Sequence, residues 1–169
     1  MDFLELARKR YSVRSYRADP VEREKLERIL EAARLAPTAV NIQPFHLLVI
    51  PTTGREAELL RIYNKKWFVQ PPVVICACGI PGKSWVRKDG KNYNDVDVAI
   101  VMDHLILAAT AEGLGTCWIG AFDLGAAKEV LNLAVGVEPI AFTPVGYPAD
   151  RPPEKKRKPL SELVRYVSW

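Results

Sequence analysis

Apolar side chains recur at helical spacing in several segments of the chain. Leu26, Ile29 and Ala33 are three or four positions apart and fall on one face of a helix. Pro20 can open this helix and Pro37 ends it, which predicts a helix over residues 21–35. Similar spacing predicts shorter helices over residues 3–10, 55–63 and 124–131.

A longer helix is predicted to begin at Asp95 or Asp97 and to run to Glu112, with Gly113 ending it. It is apolar on most of its circumference, through Val96, Val98, Ala99, Ile100, Val101, Leu105, Ile106, Leu107, Ala108 and Ala109. A helix that is apolar all round must be covered on all sides. In a domain of this size a second copy of the chain is a natural cover, so we predict a homodimer.

Short and nearly continuous apolar runs predict buried strands over residues 45–50, 73–78, 116–122 and 139–145. Helices and strands are mixed along the chain without a regular βαβα order, which indicates an α+β fold. The length of 169 residues is ordinary for one domain, and no internal repeat is visible. We therefore predict a single domain over residues 1–169.

Two segments show neither the helical nor the strand spacing of apolar residues. Residues 79–94 are polar and rich in Gly and Lys, and they predict a mobile excursion or lid. Residues 148–159 are rich in Pro and Lys and predict extended chain, before a short terminal element over residues 161–166.

Composition narrows the class of protein. The net charge of +4 is a mild excess that suits an anionic small ligand or a nucleic acid and decides neither. The odd number of cysteines and the lack of a Cys-x-x-Cys pattern argue against a disulfide framework or a zinc site. The most apolar segment, residues 96–111, is too short and too charged to span a bilayer, and no signal peptide is visible. We expect a cytoplasmic protein with no metal, no membrane partner and no nucleic-acid partner.

Arg10, Ser12 and Arg14 alternate along a segment predicted to be extended, so their side chains share one face. Two guanidinium groups and a hydroxyl suit a phosphate and an electron-rich ring edge. A solvated basic turn is the alternative. Four consecutive cations at residues 155–158 are usual in a solvated tail, and beside the N-terminal arginines they could close a phosphate site.

Two further segments have the chemistry to contact a flat ring. Asn41 and Gln43 are two positions apart, and their amides can match the donors and acceptors of a flavin's pyrimidine edge. Binding of loop backbone is the alternative for both amides. Gly120 and Ala121 let the backbone approach a flat ligand closely and offer it their N–H groups. An ordinary core strand is the alternative, although it leaves this small pair unexplained.

Four motifs occur in order: Arg-x-Ser-x-Arg at residues 10–14, Asn-x-Gln-Pro-Phe at 41–45, Gly-Leu-Gly-x-Cys at 113–117 and Pro-x-Gly-Tyr at 144–147. Together they resemble the nitroreductase family of flavoproteins, nearly from end to end. The resemblance implies a central, mostly antiparallel sheet flanked by helices. It also implies an interlocked homodimer that binds FMN at its interface, with both subunits contributing to each site.

The resemblance also implies roles for matching residues. Arg10 and Arg157, with Lys155, would hold the FMN phosphate, and Ser12 would bind near the phosphate and ribityl chain. Arg14 would lie at the flavin N1/O2 edge and stabilise the charge that forms there on reduction. The backbone near flavin N5 would be that of Ile119, Gly120 and Ala121. Further implied cofactor contacts are Tyr11, Thr38, Asn41, Gln43, Asn64 and Lys66.

The implied activity is transfer of a hydride from NADH or NADPH through FMN to a small electron acceptor, by a ping-pong mechanism. The acceptor would be a nitro compound, a quinone or a flavin, and no side-chain acid or nucleophile is required. Flavin reduction, dehalogenation and flavin breakdown stay open as alternatives within the family.

Two unrelated functions compete with this reading. The segment from Ala77 to Ser84 loosely matches the phosphate-binding loop pattern of nucleotide hydrolases. However, Pro81 removes one backbone donor, and the residues that follow are too few and too polar for the required helix. A nucleic-acid-binding module is disfavoured because the aromatic residues do not interleave with Lys and Arg.

Overall fold

Six α-helices and four β-strands form within residues 2–167, the part of the chain that this computed structural model describes. The helices are α1 Phe3–Lys9, α2 Arg23–Arg34, α3 Glu56–Ile62, α4 Asn94–Ala111, α5 Leu124–Val130 and α6 Leu160–Leu163. The strands are β1 Phe45–Pro51, β2 Val73–Gly79, β3 Gly115–Thr116 and β4 Glu138–Gly146. Short 3-10 helices occupy Ala39–Asn41, Lys66–Val69 and Pro81–Lys83.

The strands form one sheet in the order β1-β2-β4-β3, and every neighbouring pair is antiparallel. Leu48 on β1 pairs with Cys76 on β2, and Ile75 on β2 pairs with Thr143 on β4. A register shift follows Ala77, where the β2–β4 ladder is irregular. The prediction of an α+β fold with a mostly antiparallel sheet and flanking helices is confirmed.

The core forms two clusters of buried side chains that both include residues of β2 and β4. One cluster joins α2 and α4 to the sheet, where Val98, Val101 and Leu105 are fully buried. The other cluster includes Phe68 and Phe142, whose rings meet edge to face at 6.2 Å, and residues of α3 and α5. Each fully buried side chain of this kind stabilises the fold by roughly 1.5–3 kcal/mol.

The predicted strand over residues 116–122 is wrong. Regular pairing ends after Thr116, and only an isolated bridge between Ile119 and Phe142 follows. The N–H of Cys117 donates to Thr143 Oγ1 at 3.1 Å, so a side chain replaces the backbone partner that a continuous strand would use. The chain then leaves the sheet, and Gly120 and Ala121 are exposed.

Residues 79–94 contain local structure that the lack of periodicity did not predict. After the 3-10 turn, Val86 and Asn92 form an antiparallel bridge, and Gly90 turns the chain with a φ of 86°. Arg87 binds Asp89 across this turn at 2.6 Å. The segment is a small hairpin, and Asn94 then starts α4 one residue before the predicted start.

Among residues 2–167, none of the helices has the length and apolar character that crossing a membrane would require.

Candidate functional site

Hydrogen bonds between distant parts of the chain place residues 10–14 beside residues 150–157. The Val13 N–H donates to the Thr116 carbonyl at 2.9 Å, which aligns this stretch with the edge of the sheet. Asp150 then joins the two segments, because Oδ1 accepts from the Tyr11 hydroxyl and Oδ2 from the Arg14 N–H, each at 2.9 Å. Burial and this hydrogen bond raise the pKa of Tyr11 to about 12, so the hydroxyl stays protonated.

An open groove of about 210 Å³ lies where these segments meet. We call it the cationic groove, because five of its nine lining residues are Arg or Lys. The lining consists of Arg10, Tyr11, Ser12, Arg14, Pro153, Glu154, Lys155, Lys156 and Arg157. The structure therefore brings together the predicted phosphate-binding residues.

The cationic groove concentrates positive charge, because its five cationic side chains are accompanied by a single carboxylate, that of Glu154. Lys155 donates from Nζ to the Ala7 carbonyl at 2.9 Å, at the end of α1. Partial burial, and then repulsion from Arg10 and Arg157, lower the pKa of Lys155 below its usual value. Within residues 2–167, no ion pair links Arg10, Arg14, Lys155 or Arg157 to a carboxylate. A bound phosphate would relieve this repulsion and accept charge-assisted hydrogen bonds.

The inner side of the groove leads to the segment that contains Gly120. Burial raises the pKa of the Cys117 thiol, while the charge of Arg14 and a hydrogen bond to Ser12 act in the opposite direction. Cys117 therefore lies close to both groove residues. From Thr116, which bridges to Ser12, the chain reaches Gly120 in four residues, a span of at most about 14 Å.

Gly120 and Ala121 form an exposed strip of backbone beyond this point. The neighbouring Ile119 is anchored to the sheet, because it exchanges two hydrogen bonds of 2.9 Å with Phe142. Within residues 2–167, the N–H groups of Gly120 and Ala121 have no hydrogen-bond acceptor. A Cβ added at Gly120 would meet no protein atom within 4 Å. The strip thus offers unpaired backbone N–H donors next to open space, where a flat ligand could lie against them.

The loop with the predicted ring-binding amides has an unusual backbone. Val40, Asn41 and Gln43 have φ angles of 46°, 57° and 57°, a left-handed region that non-glycine residues seldom adopt. The Gln43 N–H donates to Thr38 Oγ1 at 3.0 Å, and Gln43 Nε2 donates to Asn41 Oδ1 at 3.3 Å. The two amides are therefore side by side, as the sequence predicts.

This loop is not part of the cationic groove. Thr38, Asn41 and Gln43 are absent from the groove lining, and the loop contacts the start of α4 instead. Asn64 and Lys66 are exposed in the segment after α3 and also lie outside the groove lining. That segment is close to the Gly120 strip, because the Asp123 N–H donates to the Ile62 carbonyl at 2.8 Å.

Sequence reasoning missed Asp150, which joins the two sides of the groove, and Asp97, which contacts the loop. No local pattern identifies either residue, because the hydrogen-bond partners are distant in sequence. It also missed the lining residues Pro153 and Glu154, whereas Lys156 belongs to the cationic run over residues 155–158 that the sequence analysis named as a possible side of a phosphate site.

The structure gives no support to the phosphate-loop alternative. Residues 77–79 belong to β2, and Pro81–Lys83 is a single 3-10 turn. The next α-helix begins only at Asn94, so no helix N-terminus follows Ser84 directly. Within the described residues, no cluster of His, Cys, Asp and Glu side chains is suited to a metal ion.

Comparison with known proteins gives one consistent family. The model of the nitroreductase family matches residues 7–67 and 61–147. A nitroreductase family protein of Clostridium difficile 630 with a known crystal structure is 40% identical, covers 100% of both chains and has a TM-score of 0.91. A protein of Methanothermobacter thermautotrophicus, whose name pairs NADH dehydrogenase with NAD(P)H nitroreductase, is 30% identical over 90% of this chain and 80% of that protein.

A third relative is the NAD(P)H-dependent FMN reductase of Bacillus subtilis, which is 28% identical over 88% of this chain and 66% of that protein. The family match covers most of the chain, and the order of the elements agrees with that of a solved family member. The chain belongs to the nitroreductase family, and it is an oxidoreductase.

Proposed function

We propose that this protein is an FMN-dependent enzyme that transfers hydride from NADH or NADPH to a small electron acceptor by a ping-pong mechanism. The acceptor is a nitro compound, a quinone or a flavin. One observation carries the proposal. Arg10, Lys155 and Arg157 converge without an ion-pair partner, and the neighbouring chain leads to Gly120 and Ala121, whose N–H groups have no hydrogen-bond acceptor in the described part of the chain. The cations would bind the anionic tail of a ligand, and the free N–H groups would bind its planar ring.

The residues present fit FMN in charge and in hydrogen-bonding capacity. Arg10, Lys155 and Arg157 would hold its phosphate, and Ser12 would bind next to them. The added phosphate would raise the lowered pKa of Lys155 towards its usual value, because opposite charge favours the protonated amine. The cofactor would be bound through charge-assisted hydrogen bonds at one end.

At the other end, the free N–H groups of Gly120 and Ala121 would orient the ring, and the guanidinium of Arg14 would stabilise negative charge on it. FMN supplies the redox chemistry, since it accepts a hydride from one substrate and passes it to the next. The chain itself binds, orients and stabilises charge. No proton transfer by a protein side chain is needed for this role.

The proposal includes a homodimer. An open depression of about 470 Å³ on α4 exposes mostly apolar surface, and it is lined by Val96, Ala99 and Ile100 together with Asp95, Asp103 and His104. Val40 and Ile42 in the neighbouring loop are also exposed. A second chain on this face would bury these side chains. Thr38, Asn41 and Gln43 lie outside the groove of their own chain, so in this proposal they would contact the FMN held by the other subunit.

The test is flavin content after purification. Wild-type protein should carry FMN and show flavin absorbance, whereas Arg10→Ala/Arg157→Ala should lose it. Each charge-assisted hydrogen bond contributes about 1.5–3 kcal/mol, so the double variant should bind FMN more weakly by about a hundredfold or more. Arg151→Ala/Arg165→Ala removes the same charge outside the groove and should retain FMN. A flavin-free wild type, or normal FMN content in the groove variant, would refute the proposal.

The relative named as an FMN reductase supports free flavin as one acceptor to be tried. Anaerobic mixing of the reduced enzyme with nitro compounds, quinones and flavins would rank the acceptors by the rate at which flavin absorbance returns. Reduction by NADH and by NADPH, measured separately, would identify the electron donor.

A further inference from the structure

The loop that contains Asn41 and Gln43 needs support from outside itself. Three of its non-glycine residues have left-handed backbone, a strained conformation that persists only when the surrounding structure holds it. Hydrogen bonds within the loop, such as that from the Gln43 N–H to Thr38 Oγ1, fix its internal shape. They do not fix where the loop lies on the protein.

Asp97 provides that attachment from α4. Its side chain is buried, with 1% relative exposure, and Oδ1 accepts from the Ala39 N–H at 2.8 Å. Asp97 Oδ2 is also buried and has no hydrogen-bond partner in the described part of the chain. An unpaired buried carboxylate oxygen is unfavourable for stability, and it offsets part of what the Ala39 hydrogen bond and the place of Asp97 in the first turn of α4 contribute.

We infer that Asp97 is a positioning residue, which holds the loop so that Asn41 and Gln43 present their amides to the cofactor. This inference rests on the proposed function, because it assumes that the loop binds FMN. Because Asp97 is buried, its side chain would touch neither the cofactor nor the substrate directly. It acts through the Ala39 N–H, which lies two residues before Asn41.

The chemistry of the contact predicts how two substitutions will differ. Asp97→Ala removes the acceptor of the Ala39 N–H and frees the loop to leave its left-handed conformation. Asp97→Asn keeps an oxygen acceptor in the same place and removes the charge, so it should preserve the attachment. Because Asp97→Ala also removes the unpaired Oδ2, the thermal stability of the FMN-free protein should change little.

The experiment combines hydrogen exchange with FMN titration of the full-length protein. In Asp97→Ala, the amide of Ala39 should lose protection in the FMN-free protein, and the Kd for FMN should rise about tenfold or more, since hydrogen bonds to charged groups contribute this much. Asp97→Asn should stay within about threefold of the wild type. Glu56→Ala, which removes an exposed carboxylate from the first turn of α3, is the matched control and should match the wild type.

Each outcome decides the inference. Unchanged Ala39 exchange in Asp97→Ala would overturn it, because the loop would then have another attachment. Lost protection with an unchanged Kd for FMN would also overturn it, while FMN binding by the wild type would leave the proposed function standing. Failure of the wild type to bind FMN would instead refute the proposed function, and it would be seen before any variant is made.

Discussion

Replacement of Gly120 by alanine separates the effect on the cofactor from the effect on the protein. An added Cβ would meet no protein atom within 4 Å, and Gly120 is not among the glycines that require positive φ. The folded protein can therefore accept the methyl group without strain. Alanine also restricts the unfolded chain more than glycine does, which would stabilise the fold by about 0.4–1 kcal/mol.

For FMN binding we expect the opposite effect, which is a loss of affinity. If the flavin ring lies against Gly120, the methyl group occupies space that the ring needs. Adding a carbon to a well-packed contact costs about 1–3 kcal/mol, which corresponds to roughly a five- to hundredfold rise in the Kd for FMN. Gly125→Ala is the matched control, because Gly125 lies within α5 and its Cβ would make only a 3.4 Å contact with Asp123 Oδ1.

The assay is thermal denaturation of the FMN-free variant, together with a fluorescence titration with FMN. We expect Gly120→Ala to melt at or above the wild-type temperature and to bind FMN more weakly, and Gly125→Ala to bind it normally. Wild-type FMN affinity in Gly120→Ala would contradict the placement of the ring beside this strip. A large loss of thermal stability would contradict the open space that the structure shows there.

Three further predictions concern the frame of the groove. Gly115→Ala should destabilise the protein by about 1–3 kcal/mol in chemical denaturation, because its Cβ would lie 2.6 Å from Val13 Cγ2. Adding Val13→Ala to this variant should restore part of the lost stability. If the two substitutions instead destabilise the protein additively, the clash is not the cause. Tyr11→Phe should cost about 1.5–3 kcal/mol, because it removes the hydrogen bond to the Asp150 carboxylate; an unchanged denaturation midpoint would count against that bond. Folding lowers the pKa of Lys155, so the unfolded state binds more protons than the folded state between that lowered pKa and 10.5. The free energy of unfolding without FMN should therefore rise with pH in this range. A Lys155→Met variant with the same pH slope would exclude Lys155 as the cause.

Much of the fold follows from local patterns in the sequence. The sequence predicts a helix over residues 95–112 because its apolar side chains cover most of the helix circumference, and α4 spans Asn94–Ala111. The strands β1, β2 and β4 also agree with their apolar runs within two residues. The failed strand over residues 116–122 has a non-local cause, since the Thr143 side chain takes the hydrogen bond of the Cys117 N–H.

The candidate site was predictable only in its parts. The alternating Arg10 and Arg14 and the run of cations at residues 155–158 indicated phosphate chemistry, yet charge alone does not show that two segments meet. Asp150 makes them meet, through hydrogen bonds to residues 139 and 136 positions away. Asp97 likewise reaches the loop across 58 positions, and nothing in its neighbouring residues indicates this contact.

The long sequence separation across the cationic groove has a consequence for biosynthesis. Lys155 binds the carbonyl of Ala7, 148 residues earlier, so the two walls of the groove cannot meet until synthesis has passed residue 157. The sheet, by contrast, has all its strands once Gly146 has emerged. A nascent chain can therefore pair its strands before the cationic groove exists, and any ligand of the groove can bind only after residue 157 has been synthesised.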